Sequence, residues 1–278
     1  MKRRTLYLAL GIPAGILAFL YLTLLFIPND AIKGALTRAA GNAGYALEIT
    51  GFGKRLPLGF KAATLEVSSE KGALVKLSDA RLGLEILPLF AGRLQLGYSG
   101  KIGAGGLSGD ITLGRKPGWS ILARGIRLED IPFFANVAGA RVKGELKVTG
   151  AMASPKKMLE GDLQLEVRGA ELAGVKIGEM PLPDATYQEV RGALRIEKGR
   201  ALLKSFTLNG DGIYVRLKGD TQLANPLGNS PLNLTLEMMP QPAFLDRQKF
   251  VFLLLLKYQS SPGAYSMPIR GTLAHPTL

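Results

Sequence analysis

Residues 163–168 read LQLEVR. Leu163, Leu165 and Val167 alternate with Gln164, Glu166 and Arg168. A period of two puts the aliphatic side chains on one face of an extended strand and the polar ones on the other. The pattern recurs in IYVRLK (213–218), with Ile213, Val215 and Leu217 in the apolar places, and in LNLTLEM (232–238), with Leu232, Leu234 and Leu236. It is also legible at 82–86, 94–98, 142–148 and 194–196. Turns containing glycine, such as EKGR (197–200) and NGDG (209–212), separate neighbouring strands as hairpins require. Residues 43–278 are therefore expected to form a mostly β, antiparallel body with one apolar face and one wet face.

The first 28 residues follow a different rule. Lys2, Arg3 and Arg4 precede an uncharged run that includes Leu6, Leu10, Ile16, Phe19, Leu24 and Ile27. As a helix, residues 6–27 would span about 33 Å, enough for a hydrocarbon core of roughly 30 Å. A signal peptide is the competing reading, but it needs a shorter apolar region and a small-x-small cleavage site, and LLFIPND (24–30) offers none. The expectation is a single-pass anchor with its basic tip in the cytoplasm. In a bacterium this places the chain in the inner membrane and everything after Pro28 in the periplasm. Residues 29–42 then form a helix at the membrane surface, with Asn29 or Asp30 as its cap and Gly41 as its stop.

Two later stretches interrupt the alternation. LEDIPFFANVAG (128–139) suggests a brief helix after Asp130 that ends at Gly139. Residues 241–259, QPAFLDRQKFVFLLLLKYQ, are long enough for a helix of about four turns, apolar nearly all round. Such a helix either buries against the sheet or dips into a membrane. About a dozen strands at ~4.8 Å spacing make a sheet some 55–60 Å wide, which one helix ~28 Å long does not cover. The apolar face must either close on itself, as a sandwich or barrel, or line a groove filled by something apolar. The expected architecture is thus a transmembrane helix followed by a long, strongly bent antiparallel sheet, groove or sandwich, with a few short helices.

The inventory argues against catalysis. The only histidine is His275, and there is no cysteine, so neither a histidine-based triad nor a thiolate metal site can be built. GKIGAGGLSGD (100–110) lacks the G-K-[ST] ending of a phosphate loop, and a strand-like ITL follows it. Glu129 and Asp130 read as charge at the start of a helix, and Trp119 as a core or edge aromatic. No cofactor is expected. The net charge of +13 would favour polyanions, but no basic cluster interleaved with aromatics marks a nucleic-acid site. Most lysines and arginines alternate with apolar residues along strands, either as a solvated face or as an attraction for anionic lipid headgroups.

One punctuation mark repeats. GTLAHP (271–276) and GAMASP (150–155) share Gly, Leu or Met, Ala and Pro at one spacing, and GDTQLANP (219–226) is a looser version. Each follows a strand, and proline is expected to stop ladder bonding there.

The anchor, the stretch LGLEILPLFAGRLQLGYSGKIGAGGLSGDITL (82–113) and the final IRGTL with its HP together resemble the type II secretion system protein N family. Through LEDIPFFANVAGARVKGELKVTGAMASP (128–155) the chain is also similar to the broader AsmA-like group of membrane-anchored periplasmic β-groove proteins. The first resemblance implies a non-catalytic inner-membrane accessory to protein export, with other secretion-system subunits as partners. The second implies a module that shields the acyl chains of a phospholipid or other anionic lipid. For the second, the candidate groove face comprises Leu163, Leu165, Val167, Ile213, Val215, Leu217, Leu232, Leu234 and Leu236.

Overall fold

The computed structural model of the protein describes residues 15, 19, 21–23, 25–56, 58–114, 117–154 and 159–278, Phe90 by its backbone alone. The alternating segments form one antiparallel sheet of 16 strands. Its first half comprises β1 (Ala46–Thr50), β2 (Gly53–Arg55), β3 (Gly59–Ser69), β4 (Gly72–Leu84), β5 (Leu94–Ile102), β6 (Gly105–Leu113), β7 (Gly118–Arg127), β8 (Arg141–Ala153) and β9 (Glu160–Ala173). A separate hairpin of β10 (Lys176–Ile177) and β11 (Met180–Pro181) follows. The second half comprises β12 (Ala185–Glu197), β13 (Arg200–Gly210), β14 (Ile213–Gln222), β15 (Leu232–Pro240), β16 (Gln259–Ser261), β17 (Ala264–Gly271) and β18 (Pro276–Thr277).

Each long strand pairs with its neighbours in the chain, so the sheet is a meander. The EKGR turn shows why. Glu197 pairs with Arg200, and the two residues between them, Lys198 and Gly199, both have positive φ (51° and 75°). A two-residue turn of this hand matches the right-handed twist of the strands it joins.

Registered partners keep the two faces distinct. Val148, Leu165 and Gly192 lie in one row across β8, β9 and β12, and Lys147, Glu166 and Arg191 in the next. On the wet face, directly opposed residues are ion-paired: Lys143 with Glu171 at 2.7 Å, Arg195 with Asp162 at 2.8 Å, and Lys147 with Glu166 at 3.6 Å. Many of the basic residues that alternate along strands are thus accounted for by a solvated face. Such exposed pairs set the register more than they stabilise the fold.

The sheet is open. Its path runs from β1 to β16, with no pairing between these two ends among the described residues, and it is not strongly curled. The expected strong bend and the sandwich alternative are therefore corrected. Helices, not a second sheet, cover the apolar face: residues 132–136 pack against β4 and β8, and the later half is covered most fully. There α4 (Pro242–Arg247) and α5 (Lys249–Leu254) lie over β12–β15 and β17, after the earlier helices α1 (Asn29–Asn42), α2 (Ile86–Phe90) and α3 (Pro132–Asn136).

The single helix expected over 241–259 is in fact three short pieces: α4, α5 and a 3₁₀ turn at Leu256–Tyr258. Gln248, at φ −112° and ψ 27°, breaks the first from the second. The break lets Phe244, Phe252 and Leu255 all point into the core, where Leu255 has no exposed surface.

Two finer expectations also change. The cap of α1 is Pro28, with no side-chain capping bond, and Gly41 lies inside the helix; Gly44, at φ 84°, follows its end. At the C-terminal motif, β17 ends at Gly271 (φ 80°), while Pro276 begins β18, which folds back to pair with β17. The turn between them is bonded elsewhere: Leu273 and Ala274 N–H donate to the carbonyls of Ser230 (3.0 Å) and Gly228 (2.9 Å).

Lys2, Arg3, Arg4, Leu6, Leu10, Ile16 and Leu24 lie outside the described residues. Phe19 and Ile27 are described and exposed. No helix among the described residues is long and apolar enough to cross a membrane.

Candidate functional site

The nine residues of the expected groove face do lie on one face, but they divide in two. Val167, Ile213, Val215, Leu232 and Leu236 are buried, packed with Met238, Phe252, Leu255, Tyr265 and Met267 into the main core. These five are core residues and no part of an open groove; the correction follows from the cover of α4 and α5. Leu163, Leu165, Leu217 and Leu234 are half-buried, the last three packed against the margin of the same core and Leu163 against a smaller cluster of Met152, Ile196 and Ala201.

The open part of the apolar face is at the other end of the sheet, where the sequence pattern did not point. β1, β3, β4 and β5 present Ile49, Phe60, Leu65, Leu77, Leu82 and Tyr98 around a cavity of about 310 Å³. From α1, Ile32 and Leu36 close one side, and Phe52 stacks on Phe60 with ring centroids 5.7 Å apart. Almost all the lining is aliphatic or aromatic. A volume near 300 Å³ is at the lower end of the range for small-ligand pockets.

Leu77 and Leu82 reach the same cavity although an odd number of positions separates them, which should place them on opposite faces. The ladder between β4 and β5 is irregular between Ser78 and Arg81, and Asp79 there has φ 51°. This bulge turns the strand over by one residue. Leu77 then packs with Ile102 and Leu107, and Leu82 pairs with Tyr98.

Tyr98 closes the floor. It lies across Gly109, where a Cβ would come within 2.6 Å of its hydroxyl, and the hydroxyl donates to the Ser120 carbonyl at 2.7 Å. Burial, and then the charge of Asp110, hold the phenol above its ordinary pKa, so it stays a neutral donor.

A second, larger hollow of about 660 Å³ opens beside the same strands. Gly83, Gly97 and Asp110 form one registered row of the wet face there. The Glu85 side chain lies over Gly97 to meet Asp110, and the Ser120 hydroxyl donates to the Asp110 carboxylate at 3.2 Å. Burial, and then the hydrogen bond and charge of Asp110, raise the Glu85 carboxyl above the usual carboxylate range. Two acids beside Arg55 and Arg81, with Leu56, Leu58, Leu84 and Ile121 on the same wall, give this hollow a mixed lining whose charges largely offset one another. The apolar cavity is therefore the better candidate.

Among the described residues no group of three or more acids or histidines could hold a metal ion. No family model matches the chain, and neither a curated protein nor a solved structure does.

Proposed function

We propose that the protein binds acyl chains of a lipid at the uncovered end of its apolar sheet face, next to the expected membrane anchor. One observation carries this reading. The later half of the face is sealed by α4 and α5 and part of the earlier half holds α3, whereas the first strands leave an apolar cavity open beside α1. An apolar cavity on a protein surface is favourable only when something apolar fills it. Because α1 starts at residue 29, directly after the expected anchor, the cavity faces a supply of acyl chains. In this reading residues 1–28 hold the chain in the bacterial inner membrane, and the sheet works in the periplasm without catalysis or cofactor. The similarity to AsmA-like β-groove proteins supports the same assignment.

The test uses the full chain in cells, with a photoreactive benzophenone amino acid at Leu82 in the cavity or at Glu171 on the wet face. Lipid adducts from position 82 and none from position 171 are expected. Equal labelling at both positions, or none at either, rejects the proposal.

A second reading keeps the first resemblance, a non-catalytic accessory component of type II secretion. What favours it is β1, which among the described residues pairs on one side only, with β3, and leaves its other edge open to an added strand from a partner. The same cross-linker at Glu48 of β1 would then capture a secretion subunit instead of lipid.

A further inference from the structure

On α5 and the turn after it, Phe252 and Leu255 face the core, with 4% and 0% of their surfaces exposed. Between and beside them Phe250, Leu253, Leu254 and Leu256 point outward, Phe250 with 85% of its surface exposed and the others with more than half. Four large apolar side chains in one short segment form a ridge that the fold itself does not use. They are also flanked by charge of one sign. Lys249 and Lys257 are exposed at the two ends of the ridge, neither is ion-paired among the described residues, and Asp246 is the only acid in 241–258.

We propose that this ridge is a lipid-surface contact: it seats between the headgroups of a bilayer containing anionic lipid, with Lys249 and Lys257 at headgroup level. The arrangement fits an interfacial helix, in which apolar side chains enter the acyl boundary and lysines hold the anionic surface. A second copy of the chain fits poorly, because a two-fold contact between ridges would bring the lysines of both copies together. A protein partner fits less well than a membrane, since four side chains fall short of the ~800 Å² per partner that a standard interface buries. The ridge sits beside β15 and β17, whereas α1 packs at β1. That separation is roughly 60 Å measured along the ladder, so the contact is distinct from the expected anchor.

The chain has no cysteine, so a single thiol can be introduced for labelling. Full-chain protein carrying Leu253→Cys or, separately, Leu256→Cys would be labelled with an environment-sensitive fluorophore and held in phosphatidylcholine nanodiscs. Phosphatidylglycerol is then supplied, either within the disc or in added vesicles. The expected result is a blue shift with a severalfold rise in emission in at least one arm. Doxyl-labelled lipid should quench it, and Lys249→Glu with Lys257→Glu should largely abolish it. Water-like emission in both arms overturns the proposal. So does a shift that needs no phosphatidylglycerol, or one that follows protein concentration without it, which would indicate a second copy. Lipid capture at position 82 is unaffected by the two lysine changes, so failure here and failure of the acyl-binding reading are separate outcomes.

Discussion

Leu77 and Leu82 stand on the same face of β4 because Asp79, between them, adopts a left-handed backbone and shifts the strand by one residue. Asp79 also pairs with Lys101 at 3.1 Å, across the irregular step itself. The open cavity thus depends on one residue that contributes nothing to its lining.

A series at position 79 follows from this. Asparagine and glycine tolerate positive φ, so Asp79→Asn and Asp79→Gly should stay close to the parent in urea denaturation. Asp79→Val should lose roughly 1–3 kcal/mol, the usual cost of forcing a branched residue into that region. A valine variant as stable as the glycine variant would show that the bulge does not set the register.

Glu85 supplies a pH dependence. Its carboxyl is raised by burial and by Asp110, so the folded chain holds this proton to higher pH than the unfolded chain, whose value is near 4.5. The unfolded state therefore binds fewer protons in the window above 4.5, and stability falls as pH rises through the folded value. Glu85→Gln should be more stable than the parent near neutral pH and should show no such gain below pH 4.5. Denaturation midpoints at the two pH values check it, and a gain of equal size at both would refute the coupling.

At the C-terminus the two parts of the final motif separate. Met267 has no exposed surface and Ile269 is buried, whereas β18 adds only the pairs Arg270–Thr277 and Gly271–Pro276. Removing residues 267–278 should leave no cooperative thermal transition. Removing 276–278 should lower the melting temperature by only a few degrees. Point changes should show the same contrast. Leu255→Ala should cost about 2–5 kcal/mol, and Phe250→Ala, at an exposed position, about 0.5 kcal/mol or less.

Topology is tested directly by fusion. Alkaline phosphatase joined after Gly44 should be active and remain with the membrane fraction. Inactive fusions, or active enzyme released from the membrane, would contradict the expected anchor.

The alternation in LQLEVR, IYVRLK and LNLTLEM was sufficient to read the antiparallel strands, their turns and the wet face, because a period of two survives wherever strands are regular. What it could not show was cover. Val215 and Leu217 are equivalent in the pattern, but Val215 is buried within the core and Leu217 only half-buried against it. The cavity was less legible still. In β3 the lining passes from Phe60 and Ala62 to Leu65, and in β4 from Leu82 and Ala80 to Leu77. That change of parity erases the alternation at the place where the face stays open. In β4 the change falls at Asp79, whose φ is positive, and an aspartate in SDAR (78–81) gave only a weak hint of it.

The meander has a consequence for how such a chain can change length. Because every long strand is bonded to the strands next to it in sequence, the ladder itself is built of hairpin modules, and only packed helices such as α3 on β4 tie distant strands together. Adding one hairpin between β6 and β7 would lengthen the sheet by about 10 Å and carry the open cavity and the sealed core further apart, at the cost of the contact of α3 with β4. The distance between the two ends of this protein is therefore a quantity that evolution can adjust in steps, with the loop-closure cost of each step nearly independent of how many came before.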